Sequence, residues 1–210
     1  MAGLDLSNVI VLVAEDNTFS RQLMRTTLRA LTVGEIQEAV DGVEALEMVR
    51  HRMPDLVFTD FDLPHLDGIE FTRLVRTGMD SPNPFLPVVM ISAHATRFHV
   101  LAARDAGVNE YLVKPFSAAG LFSRMRAVIE SPRRYVRTKT YFGPDRRRRD
   151  DPLYRGPDRR GRDVQPTAPQ APREYEMTQE QIDRDDFTGG VDGGRGGPAV
   201  LTAPRRPGSK

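Results

Sequence analysis

Glu15, Asp16, Asp60, Ser92 and Lys114 each stand where a short apolar, β-branched run stops. The runs are residues 9–14, 56–59, 87–91 and 111–113. If they are parallel strands lying side by side, the five side chains emerge at one sheet edge, where open α/β sheets bind ligands. Three carboxylates in one cleft repel one another and hold protons more tightly unless a cation sits among them. An all-oxygen donor set with room for water suits Mg2+. With that metal in place, an ionised carboxylate can act as a nucleophile towards phosphorus. A lysine and a hydroxyl beside it can hold phosphoryl oxygens as charge moves.

The elements that must position these groups can be read from hydrophobic patterning. Residues 9–14 read as a central strand, and Asn17 can cap the helix behind it. Phe19, Leu23, Met24, Leu28 and Leu31 recur at helical spacing and predict one apolar stripe. Residues 36–40 predict a short second strand, followed by a helix carrying Val43, Leu46 and Val49. The run ending on Asp60 is the third strand, and Leu66, Ile69, Leu74 and Val75 line the helix after it. Residues 87–91 make the fourth strand, with a weakly amphipathic helix over 97–105 behind it. Tyr111-Leu112-Val113 is the fifth, and Ser117 can cap a last helix bearing Leu121, Phe122, Met125, Val128 and Ile129. Strict alternation with short crossovers predicts an α/β fold, a parallel sheet covered by helices on both faces.

Placed on those elements, the motifs resemble a known family. Glu15-Asp16, Asp60 with Leu63-Pro64 and Asp67-Gly68, Ser92-Ala93 and Lys114-Pro115-Phe116 together resemble the receiver domain of bacterial response regulators. Residues 39–46 also resemble that family's second strand and helix, and the resemblance spans roughly residues 8 to 130. It implies a doubly wound, flavodoxin-like (βα)5 fold with strand order 2-1-3-4-5. By the same resemblance, Asp60 matches the phosphoacceptor, which takes a phosphoryl group from a sensor histidine kinase or histidine phosphotransfer protein. Asp16 and Asp60 match direct Mg2+ ligands, with the Asp62 backbone carbonyl, and Glu15 matches a position acting through metal-bound water. Lys114 matches the residue that pairs with phosphoryl oxygens, before a proline bond that is typically cis. Ser92 and Tyr111 match a hydroxyl and an aromatic that move together on phosphorylation. Asp62 and His94 match positions that influence phosphoryl lifetime.

Beyond Ser131-Pro132 the character changes. Proline, glycine and arginine dominate, and no apolar periodicity lasts long enough to build a core. Tyr141-Phe142-Gly143-Pro144-Asp145-Arg146-Arg147 is echoed by Tyr154-Arg155-Gly156-Pro157-Asp158-Arg159-Arg160, two copies being too few to stack as a solenoid. Residues 174–187 predict a short helix, with Thr178 and Gln181 at capping-box spacing. Residues 131–210 are expected to be a mostly disordered tail, basic and then Gly/Pro-rich, with no folded output domain.

Composition narrows the function classes. The chain has no cysteine, which excludes a disulfide framework and a thiolate nucleophile. Its apolar runs are too short to span a bilayer and its first residues lack a signal-peptide pattern, so a cytoplasmic protein without membrane contact is expected. Residues 1–130 hold 12 Lys/Arg against 17 Asp/Glu, a net −5, and residues 131–210 hold 18 against 12, a net +6. The basic run Arg146 to Arg149 leaves nucleic-acid binding open, sequence-independent and salt-sensitive if it occurs. The histidines His51, His65, His94 and His99 show no metal-ligand spacing with other soft ligands and are expected at the surface or in loops. Asp62 also sits two residues after Asp60, the spacing of a general acid in some Mg2+ phosphatases. No cap or substrate-binding insertion accompanies it, so no turnover of an external substrate is expected. The expected output is contact with a protein partner that the sequence does not name.

Overall fold

In the computed structural model, the described residues are 4–138, 140–145, 177–184 and 199–201. The apolar runs become five short strands: β1 (Ile10–Ala14), β2 (Glu35–Ala39), β3 (Leu56–Asp60), β4 (Val88–Ser92) and β5 (Glu110–Val113). All pair in parallel, in the order β2-β1-β3-β4-β5. β3 and β4 are buried at every position, as strands covered on both faces must be. Five helices make the crossovers: α1 (Thr18–Ala30), α2 (Gly42–Arg52), α3 (Gly68–Thr77), α4 (Arg97–Ala106) and α5 (Ala118–Glu130). This is the flavodoxin-like fold expected from the alternation and the resemblance.

Helix starts follow local chemistry. Asn17, Asp41, Asp67 and Ser117 each accept a hydrogen bond from the backbone N–H three residues on, satisfying a donor the helix leaves free. The apolar stripes are narrower than the spacing predicts. Met24 and Leu28 are buried, but Phe19 is 78% exposed, and Leu23, Val43 and Leu74 are exposed too. Short amphipathic helices on a narrow sheet bury only the residues directly over it, so the flanks of each stripe stay wet.

Part of the C-terminal region is structured against the domain. β6 (Tyr135–Arg137) pairs antiparallel with β7 (Phe142–Pro144) and with β8 (Ala199–Leu201). α6 (Gln179–Arg184) follows Met177 and Thr178. The predicted capping box is present: Thr178 Oγ1 accepts from the Gln181 amide at 3.3 Å, and Gln181 Oε1 accepts from the Thr178 amide at 2.8 Å. Tyr135, Phe142, Met177 and Ile182 are all buried. Phe142 lies edge-on to Phe85, and Gly143 approaches Gly107 so closely that a Cβ would sit 3.0 Å from the Gly107 Cα. The described part of the first copy of the repeated motif, Tyr141 to Asp145, is thus packed onto the domain. The second copy, the run Arg146 to Arg149 and the Gly/Pro end lie outside the described residues, and with them the expectations of disorder and nucleic-acid binding. Among the described residues no helix is long and apolar enough to cross a membrane.

Candidate functional site

The strand ends converge as the sequence reading requires. Glu15 follows β1 at 1% exposure, Asp60 closes β3 at 8%, and Ser92 closes β4 fully buried. Lys114 follows β5 and places its ammonium between two of the acids, with Nζ 2.6 Å from Asp60 Oδ2 and 2.7 Å from Glu15 Oε2. The other Asp60 oxygen accepts from the Phe61 amide at 2.6 Å. Carboxylate oxygens of Glu15, Asp16 and Asp60 can all lie within 4.8 Å of one another, Asp16 being the exposed member. Gly68 lets α3 start hard against this turn. Its amide donates to the Phe61 carbonyl at 2.9 Å, and a Cβ there would meet the Asp60 carbonyl at 2.1 Å. The Lys114–Pro115 peptide is cis.

Electrostatics show the strain of gathering acids. Burial holds the Glu15 carboxyl above its usual range, opposed by the Lys114 hydrogen bond and reinforced by the Asp60 charge. For Lys114, burial lowers the pKa, but hydrogen bonds to Asp60 and Glu15 outweigh it and the net shift is upward. The folded protein therefore holds the Glu15 proton more tightly than the unfolded chain does. Stability from this group is fully present at low pH and is lost as pH rises from the ordinary glutamate value of 4.5 through the folded one. In divalent-free buffer, Glu15→Gln should gain stability relative to the wild type as pH rises from about 4 to about 7. Urea midpoints at both ends check this, and a difference that does not change with pH would contradict it.

The remaining predicted residues form a second layer at the same edge. Ser92 Oγ accepts from the His94 amide at 2.9 Å. Tyr111 is 2% exposed, its hydroxyl donates to the His94 carbonyl at 2.6 Å, and burial pushes the phenol up to about 12. His94 Nε2 lies 2.7 Å from Asp62 Oδ2.

Two contributors have no signal in the sequence. The Arg21 guanidinium donates to the Glu15 carbonyl at 2.6 Å and the Asp16 carbonyl at 3.1 Å while pairing with Glu38, which clamps the turn after β1. His99 stacks on His94 with centroids 4.4 Å apart, and Phe61 meets both rings edge-on. The expectation of surface or loop positions for these two histidines does not foresee this cluster. Their ring contacts cross from the β3 end to the β4 end, which spacing along the chain cannot reveal.

Residues 11–126 match the response regulator receiver domain. The chain belongs to that family. This receiver is 37% identical over 123 residues to the chemotaxis protein CheY-3 of Vibrio cholerae, covering 59% of this chain and 93% of the relative. It is 35% identical over 137 residues to the response regulator MprA of Mycobacterium sp. (strain KMS), covering 65% of this chain and 55% of that protein. Among solved structures, Vibrio cholerae CheY4 matches with TM-score 0.53 and 27% identity, over 58% of this chain and 98% of its own. The receiver domain of sensor histidine kinase PA1611 from Pseudomonas aeruginosa PAO1 matches with TM-score 0.54 and 28% identity, over 59% and 98%. That structure carries a magnesium ion coordinated in its active site cleft.

Proposed function

We propose that this chain is a phosphoacceptor response regulator, with Asp60 taking a phosphoryl group from a histidine kinase or histidine phosphotransfer protein. The observation that carries the reading is the Asp60 carboxylate itself. It is nearly buried at a strand end, held by Lys114 on one oxygen and the Phe61 amide on the other. In the proposed step an Asp60 oxygen forms a bond to phosphorus as the bond from phosphorus to the donor's imidazole nitrogen breaks. The lysine ammonium neutralises charge on the phosphoryl oxygens, and the Ser92 hydroxyl is the next donor able to reach them. Phosphorylation then adds charge and acceptor oxygens beside Ser92 and Tyr111, biasing a protein-contact surface towards an output partner.

The donor set fits a divalent cation. Three carboxylates gather about one ammonium that pairs with two of them, leaving a net charge of about −2 in an all-oxygen pocket, the character Mg2+ selects. Glu15, Asp16, Asp60 and the Asp62 carbonyl would hold the ion, which when bound supplies electrostatic stabilisation of the transferring phosphoryl group. Asp16→Asn should weaken Mg2+ binding by at least about tenfold, measured by isothermal titration. Unchanged affinity would remove Asp16 from the ligand set. The phosphatase alternative is less well supported, because the Asp62 carboxylate is turned to His94.

Incubation with acetyl phosphate and Mg2+, followed by phosphate-affinity electrophoresis, tests the proposal. A retarded species that hydroxylamine removes is expected of an acyl phosphate. Absence of any such species under Mg2+ would sink it.

A further inference from the structure

We propose that the free edge of β5, with the flanking surfaces of α4 and α5, is a helix-docking face that residues 177–184 of the same chain occupy. Phosphorylation of Asp60 releases them, a step that rests on the function proposed above. β5 ends the parallel sheet, so among the described residues its outer N–H and C=O groups face no strand. Gln179 supplies what a sixth strand would. Its Oε1 accepts from the Val113 amide at 2.8 Å, and its Nε2 donates to the Tyr111 carbonyl at 2.9 Å.

The rest of the segment is matched to the same face. Ile182 is fully buried and Met177 nearly so, in the cluster that holds Val100, Ala103, Val108 and Tyr111. Arg124 on α5 pairs with Asp183 at 2.6 Å and with Glu110 on β5 at 3.2 Å. α6 has six residues, too few to hold helical structure in water by itself. Its helicity therefore derives from docking, and undocking is a low-energy opening.

Docking is wired to the phosphorylation site through the loop between β4 and α4. The Met177 amide donates to the Ala95 carbonyl at 2.6 Å. One residue earlier, the His94 carbonyl accepts from the Tyr111 hydroxyl and the His94 amide donates to Ser92 Oγ. A phosphoryl group on Asp60 offers oxygens that accept from the Ser92 hydroxyl, whose oxygen still accepts from the His94 amide. Drawing Ser92 towards Asp60 pulls His94 and Ala95 with it, and Met177 loses its acceptor. By linkage, a docked segment and a phosphorylated Asp60 oppose each other to the same extent.

Hydrogen exchange on the full chain, read by mass spectrometry, tests both halves. Peptides covering 110–114 and 177–184 are followed with and without acetyl phosphate and Mg2+, and the phosphorylated fraction is measured by intact mass in the same samples. Phosphorylated protein should exchange at least about fivefold faster at both peptides. Unchanged or slower exchange in a fully phosphorylated sample overturns the release. Ile182→Asp, and Gln179→Ala as the milder variant, should deprotect 110–114 without phosphorylation while 56–60 stays protected. If neither does, the docking is overturned. A sample that takes up no phosphoryl group counts against the proposed function instead, and the two variants still decide the docking.

Discussion

Asp60→Ala will take up no phosphoryl group from acetyl phosphate, and Lys114→Ala will take it up roughly a hundredfold or more slowly than the wild type. The two effects differ in kind. In the proposed reaction Asp60 supplies the oxygen that bonds to phosphorus, so its loss leaves nothing to modify. Lys114 supplies charge. Its ammonium is within 2.7 Å of both Glu15 and Asp60, and without it two buried carboxylates face each other. The phosphoryl oxygens then lose their fixed cation, and no ammonium offsets the negative charge they must approach. Initial rates from phosphate-affinity gels separate the cases, with urea midpoints showing that each variant is folded. Labelling that survives Asp60→Ala would put the acceptor elsewhere. A Lys114→Ala rate within about threefold of wild type would remove the lysine from the chemistry.

Arg76→Met should cost about 3 kcal/mol or more of folding stability. Arg76 is 2% exposed, and its guanidinium donates to four oxygens that carry no charge. They are the carbonyls of Gly107 at 3.0 Å, Pro84 at 2.9 Å and Leu86 at 2.7 Å, with Asn109 Oδ1 at 2.9 Å. The plane also lies 5.3 Å from the Tyr135 ring centroid. Burial lowers its pKa, the mark of a cation held away from water. Methionine relieves that desolvation but leaves three carbonyls without their donor, at about 1–3 kcal/mol for each buried one. Asn109 fares better, since the Val88 amide also donates to its Oδ1 at 2.9 Å. Arg76→Lys keeps the charge but cannot reach four acceptors, so it should lose most of the same stability. Urea unfolding checks both, and a loss below about 1 kcal/mol for Arg76→Met would contradict the account.

Much of the receiver was legible because its signals are local. Strands buried on both faces must be apolar throughout, so each run and its polar terminator stand out. The terminators make up the candidate site: Glu15, Asp60, Ser92 and Lys114 follow from where the runs stop. Arg21 was not legible, because an arginine in the first turn of a helix ordinarily faces water. Arg76 was missed for a related reason, since a buried guanidinium needs acceptors from Pro84, Leu86 and Gly107 that only folding assembles. The C-terminal segments escaped because periodicity tests whether a stretch can build a core by itself. Tyr135, Phe142, Met177 and Ile182 are too sparse for that. They enter a core already built by others, and a single side chain suffices for entry. The capping box at Thr178 and Gln181 was the readable exception, being a contact three residues apart.

Gly143 against Gly107 carries a consequence for exchanging modules in this chain. The family match stops at residue 126, but cooperative packing runs on to Phe142, seated between Phe85, Tyr135 and the end of α4. That seat depends on residues within the module: a glycine at 107, an arginine at 76 and an aromatic at 85. Grafted onto a receiver without them, the same tail would find no place to lie. The extension and its host surface therefore fit as a pair, and a swap of modules would have to carry both.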